Sequence, residues 1–117
     1  MSISELDIRA ETLAAEERIR PHIRQTPVER SLWLSGVGRC NAYLKLENHQ
    51  ATGSFKIRGA ANKLLSMSEA ERQRGVVTAS SGNHAGALAH LLHRFGWPGQ
   101  SVLSARSSYC FHTPQSC

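Results

Sequence analysis

The stretch ENHQATGSFKIRGAANKLL, residues 47–65, places Lys56 two positions after a Gly-Ser pair, where a helix reads as beginning. Gly53 is a natural breaker and Ser54 a natural N-cap, so the spacing predicts a helix over residues 55–65 with Lys56 at its second position. A lysine there lies beside the positive end of the helix dipole and the unpaired first N–H groups. That setting opposes the ammonium form by of order 0.3–1 kcal/mol at an exposed helix end. The neutral amine is the nucleophile that makes a Schiff base with a carbonyl. The plainer alternative is a lysine that lets its charge snorkel into solvent.

A second stretch, TASSGNHAG at residues 78–86, falls between a predicted strand and a predicted helix. Ligands of open α/β sheets bind at the carboxyl ends of strands, and the first N–H groups of a following helix suit a carboxylate or phosphate. Ser80, Ser81 and Asn83 add polar side chains, and Gly82 lets the backbone come close. An anion site is one reading. An ordinary N-cap with a tight turn is the other.

The elements that must position these residues follow from periodicity. Ile8, Ala15, Ile19 and Ile23 form one helical stripe that ends near Pro21, and Ala42, Leu44 and Leu46 alternate with Tyr43 and Lys45 as in a strand. The helix after Ser54 should bury Ile57, Ala60, Ala61, Leu64 and Leu65. Ser68 with Glu71 is a capping-box pattern for a short helix. GVVTAS reads as a buried strand, and the helix after it presents Ala85, Leu88, Leu92 and Phe95 on one face. Strand, helix, strand, helix in this order signals an α/β layer with parallel strands.

Composition narrows the classes. With 117 residues, 40% hydrophobic and 20% charged, the chain is long enough for one small globular domain or a piece of one. Its net charge of +5 is scattered, without the basic run that marks a nucleic-acid surface. No stretch reaches the length of a membrane span and the N-terminus has no signal-peptide pattern, so a cytoplasmic location is expected by default. Three cysteines point to reduced thiols rather than a disulfide framework. His90 with His93, and Cys110 with His112, lack the further ligands a zinc site needs, so no metal is expected.

Residues 45–64, KLENHQATGSFKIRGAANKL, together with residues 75–91, GVVTASSGNHAGALAHL, strongly resemble the threonine and serine dehydratases of the type II pyridoxal-phosphate fold. RIRPHIRQTPVERS, residues 18–31, resembles the approach to that site, and the likeness covers residues 8–96. Two long motifs in the right order and separation make a chance match improbable. Sulfhydrylase and threonine-synthase relatives usually carry an aspartate after the lysine, whereas Lys56-Ile57-Arg58-Gly59 is the dehydratase and serine-racemase form.

The resemblance implies an open, mostly parallel sheet with flanking helices, incomplete at this length. It implies pyridoxal phosphate held covalently by Lys56, with Phe55 packed near its ring and Asn83 bonded to the ring hydroxyl oxygen. The turn of Ser80, Ser81, Gly82, Asn83 and His84 would take the carboxylate of a small amino-acid substrate. Lys56 would then remove the Cα proton of threonine or serine, the β-hydroxyl would leave as water, and hydrolysis would give ammonia and a 2-oxo acid. Ser81 matches the base that serves racemases on the opposite face, so serine racemisation stands beside dehydration. A full-length parent is expected to be a homo-oligomer.

One departure bears on activity. The family's glycine-rich phosphate loop and the partner of its pyridine nitrogen come beyond this length, and the family pattern is lost after about Trp97. Residues 1–96 are therefore expected to be the N-terminal portion of a dehydratase-like fold, and residues 97–117 a divergent, poorly ordered tail after at most one short strand. The chain as written is expected to be an inactive fragment, at most a weak anion binder.

Overall fold

Ile57, Ala60, Ala61 and Leu64 recur every three or four residues, and that stripe defines the centre of the structure. In the computed structural model, which describes residues 7–102, they lie on helix α3 (Lys56–Leu65) and are all buried. Helix α5 (Asn83–Phe95) packs Ala87, Leu88, Leu91 and Leu92 against them. Ile19, at the end of helix α1 (Ile8–Ile19), completes the cluster, with Ile23, Phe95 and Trp97 packed around it. The predicted α3 face is thus the core, while the α5 face is shifted: Leu88 and Leu92 are joined by Ala87 and Leu91, Phe95 packs at the edge, and Ala85 is buried outside the cluster. Ile8 is the exception to the α1 stripe, being exposed near the free end of that helix.

Five α-helices begin within the described residues, and their starts divide into two kinds. Asp7 caps α1 by accepting from the N–H groups of Arg9 and Ala10. Ser31 caps helix α2 (Leu32–Gly38) through the Leu34 N–H. Ser68 and Glu71 form the predicted capping box of helix α4 (Glu69–Arg74). Glu71's carboxyl is lowered by the backbone N–H of Ser68, with the Ser68 hydroxyl adding to it. Neither α3 nor α5 has a side-chain cap.

The strands make two small sheets. Strand β1 (Val28–Arg30) pairs antiparallel with β2 (Tyr43–Lys45), Glu29 opposite Leu44. Strand β3 (Val76–Ala79) pairs parallel with β4 (Gly99–Val102), Val77 opposite Gln100. The connection from β3 through α5 to β4 is a parallel strand-helix-strand unit, one step later in the chain than the unit read from the sequence, which ran from the 42–46 strand through α3 to β3. The earlier predicted strand joins β1 instead of β3, because the short α2 turn brings β2 back beside β1 and lets them pair antiparallel.

Burial of the strands also differs from expectation. All three residues of β1 and of β2 are exposed, and Val77 of β3 is 71% exposed. Only Val76 of the predicted buried strand packs on the core, since α5 covers one face of the β3–β4 pair. Gly99 permits that cover: an ideal Cβ there would stand 2.3 Å from Leu92 Cδ1. The expected boundary at residue 96 falls between α5 and β4, and β4 is the one short strand allowed beyond it. Residues 103–117, with Cys110 and His112, lie outside the described residues. Among the described residues no helix is long and apolar enough to cross a membrane.

Candidate active site

Lys56 is the first residue of α3, one position earlier in the helix than its spacing suggested. The cap position belongs to Phe55, whose backbone is already helical, and Ser54 is the correction to the predicted N-cap. The buried Ser54 hydroxyl sits 3.4 Å from the Lys56 N–H, within reach only of the helix's first amide. The Lys56 side chain is exposed, with Nζ 5.2 Å from the centroid of the Phe55 ring, a cation–π approach. Phe55 itself is 59% exposed.

The loop before Lys56 is held by a network that local sequence patterns did not reveal. Arg58 grips Glu47 with two parallel bonds, Nε donating to Oε2 and Nη2 to Oε1, each at 2.8 Å. The Thr26 hydroxyl also donates to Glu47 Oε1, and the Gln50 side chain is a further partner. These contacts, the Arg58 bond foremost, lower the Glu47 carboxyl from its ordinary 4.5 to about 2. The same pairing raises Arg58 further above its usual range. Gln50, almost fully buried, receives the Arg24 N–H at 3.1 Å and returns a bond to the Arg24 carbonyl at 2.8 Å. Lys45 Nζ donates to the Thr26 carbonyl. Gly53, at φ +71°, closes the turn by donating to the Gln50 carbonyl.

The second stretch is open by comparison. Ser81, Gly82, Asn83 and His84 are exposed and Ser80 is half-buried. Gly82 is the N-cap residue of α5, and its N–H lies 3.4 Å from the Ser80 hydroxyl. Gly82 takes the cap position without a side-chain cap, so neither Ser81 nor Asn83 is engaged in capping the helix. A Cβ placed on Gly82 would meet nothing within 4 Å, so the space beside the first α5 amides is clear.

The two stretches sit on helices that pack directly through Ile57, Ala60, Ala87 and Leu91. An open depression of about 490 Å³, lined by Arg30, Leu32, Ser35, Gly36, Arg39, Cys40 and Asn41, belongs to the β1–α2–β2 unit and includes neither stretch.

Comparison with known proteins places the chain in a family. The family described as pyridoxal-phosphate dependent enzyme matches residues 19–109. A β-hydroxyaspartate dehydratase from Paracoccus denitrificans is 43% identical over 91 residues, 78% of this chain and 29% of that protein. The L-threonine dehydratase catabolic TdcB of Staphylococcus aureus is 49% identical over 76 residues, 64% of this chain and 22% of that protein. The crystal structure of serine racemase from Dictyostelium discoideum superposes with a TM-score of 0.80 at 36% identity, over 85% of this chain and 33% of that one. The chain belongs to the pyridoxal-phosphate dependent enzymes, of the type II fold. It spans between about a fifth and a third of the length of these relatives.

The residues present fit pyridoxal phosphate. An exposed primary amine stands beside an exposed aromatic ring at Lys56 and Phe55. Four residues earlier, the buried Thr52 hydroxyl has no hydrogen-bond partner among the described residues. The clear space at Gly82 adds room beside unpaired helix amides.

Proposed function

We propose that the chain is the lysine-bearing portion of an ammonia-lyase that converts L-threonine or L-serine to a 2-oxo acid and ammonia. Lys56 would hold pyridoxal phosphate covalently, Phe55 would pack near the ring, and Asn83 would donate to the ring hydroxyl oxygen. Bound pyridoxal phosphate supplies a conjugated ring that takes up the electron pair left at Cα when its proton is removed. Ser80, Ser81, Gly82, Asn83 and His84 would take the substrate carboxylate on side-chain donors and on the first amides of α5. The Lys56 amine would take the Cα proton and, on the same face, lie near the departing β-hydroxyl.

The observation that carries this reading is the exposed Lys56 amine at the start of a helix, without a side-chain cap, whose preceding loop is fixed by partly buried polar bonds. Identity to two dehydratases supports the reaction class. Ammonia release from threonine and serine, assayed in a parent chain of the relatives' length with and without Lys56→Ala, tests it. Loss of release in Lys56→Ala is expected. Retention would exclude Lys56 as the proton carrier.

A racemase reading has its own support, the exposed Ser81 and the likeness to a serine racemase. There Ser81 would return a proton to Cα from the face opposite Lys56. Appearance of D-serine at a rate comparable to pyruvate, lost in Ser81→Ala while pyruvate persists, favours it. The 117 residues alone are proposed to bind cofactor weakly without turnover, because the part that matches makes up only about a fifth to a third of each relative. A homo-oligomeric parent in the cytoplasm completes the proposal.

A further inference from the structure

Glu47 and Arg58 bracket Lys56 along the chain, one nine residues before it and the other two after it. Their paired bonds close residues 48–57 into a loop with both ends fixed. Two further ties set how that loop sits. Gln50 is bonded both ways to the Arg24 backbone, which fixes the loop on the segment between α1 and β1. Ile57, between Lys56 and Arg58, is wholly buried, which fixes the rotation of the first turn of α3. With Ile57 inward and Arg58 turned to Glu47, Lys56 is left on the exposed side.

The Glu47 carboxylate is fully committed in this arrangement. Both oxygens accept from Arg58, Oε1 also accepts from Thr26, and Gln50 is a further partner. Arg58 lies in addition 4.0 Å from Glu16 of α1. A lysine could not substitute for Arg58, because one ammonium cannot make two parallel bonds in a fixed plane.

We infer that Glu47 and Arg58 are positioning residues for Lys56: their clamp, seated on Thr26 and Gln50, holds the amine where an aldehyde cofactor meets it. The inference rests on reading Lys56 as the cofactor lysine. Both residues act through the loop and touch no reacting atom.

The test uses the 117-residue chain with pyridoxal phosphate, reduced with borohydride and mapped by peptide mass. Lys63 is exposed on the same helix beyond the clamp and serves as the internal reference. In Glu47→Gln and in Arg58→Gln the Lys56:Lys63 labelling ratio should fall about tenfold, as small misplacements of a reacting group do. Arg18→Gln, which removes the bond from α1 to Asn62 near the other end of α3, should leave the ratio unchanged. Hydrogen exchange, read without cofactor, should quicken at the Gln50 and Gly53 amides of the clamped loop and not at Leu91 in α5. An unchanged ratio in both clamp variants would overturn the inference. So would equal loss of protection in loop and α5, which marks a general stability role. Should the unsubstituted chain show no preference for Lys56 over Lys63, the cofactor-lysine reading falls, and the exchange contrast alone then decides whether the clamp holds the loop.

Discussion

Two segments of this molecule lead into uncapped helices, and they are prepared very differently. The one that enters α3 is tied down before it arrives: Glu47, Gln50 and Gly53 all have fixed partners, and Ile57 is buried just past Lys56. The one that enters α5 is exposed from Ser81 to His84, with the Gly82 N–H near the Ser80 hydroxyl. The chain therefore fixes the segment that carries Lys56 internally and leaves the turn from Ser81 to His84 open. The remaining helices make the same point from the other side. Asp7, Ser31 and Ser68 cap α1, α2 and α4, so caps are present wherever neither candidate segment is involved.

The largest test of this contrast removes the seat beneath the lysine. Ile57→Ala should cost about 2–5 kcal/mol, the usual range for emptying a fully buried aliphatic site. Chemical denaturation should show it as a lowered midpoint with little change in slope. A cost below about 1 kcal/mol would mean that the first turn of α3 is not held by packing.

Next comes the clamp. Arg58→Ala strands a carboxylate that is only partly reachable by water, and should cost about 1.5–3 kcal/mol, the range for hydrogen bonds to charged groups. Acid tests the same pair without mutation. Because the folded Glu47 carboxyl lies near 2 against its ordinary 4.5, its contribution is complete above about pH 4.5 and is lost as pH falls toward 2. Glu47→Gln should flatten the stability profile across that window. An unaltered profile would show that Arg58 does not hold the carboxylate in solution.

The smallest expected effect is on the open segment. Asn83→Ala removes no cap and no core contact, so its stability cost should stay within about 0.5 kcal/mol. In a parent chain it should nonetheless weaken cofactor tuning, a lost bond to a conjugated oxygen being worth about 1.5–3 kcal/mol when that group is charged. A stability loss near 1 kcal/mol with an unchanged cofactor spectrum would restore the capping reading.

Much of this was legible in the residues. α3, α4 and α5 announce themselves because their apolar spacing or capping box is local, and the two family motifs lie on or beside them. β1 and α2 did not. β1 is three residues long, and α2 contains Gly36 and Gly38 and leaves Leu32, Trp33 and Val37 exposed, so no buried stripe marks it. The clamp was hidden for another reason. Glu47 and Arg58 lie on different elements with the Gly53 turn between them, so no single helix or strand pattern in the sequence pairs them. Ser54 misled by type: it is a good capping residue, but the helical backbone of Phe55 makes Phe55 the cap position, and the Ser54 hydroxyl reaches only the Lys56 amide, at 3.4 Å.

The central claim is that Lys56 is the residue this chain offers to pyridoxal phosphate. Borohydride reduction of the chain with the cofactor, followed by peptide mapping, tests it most directly. The account predicts the reduced label on Lys56 ahead of every other lysine, and its disappearance from that peptide in Lys56→Arg. A label centred on Lys45 or Lys63, with Lys56 unmodified, would contradict it.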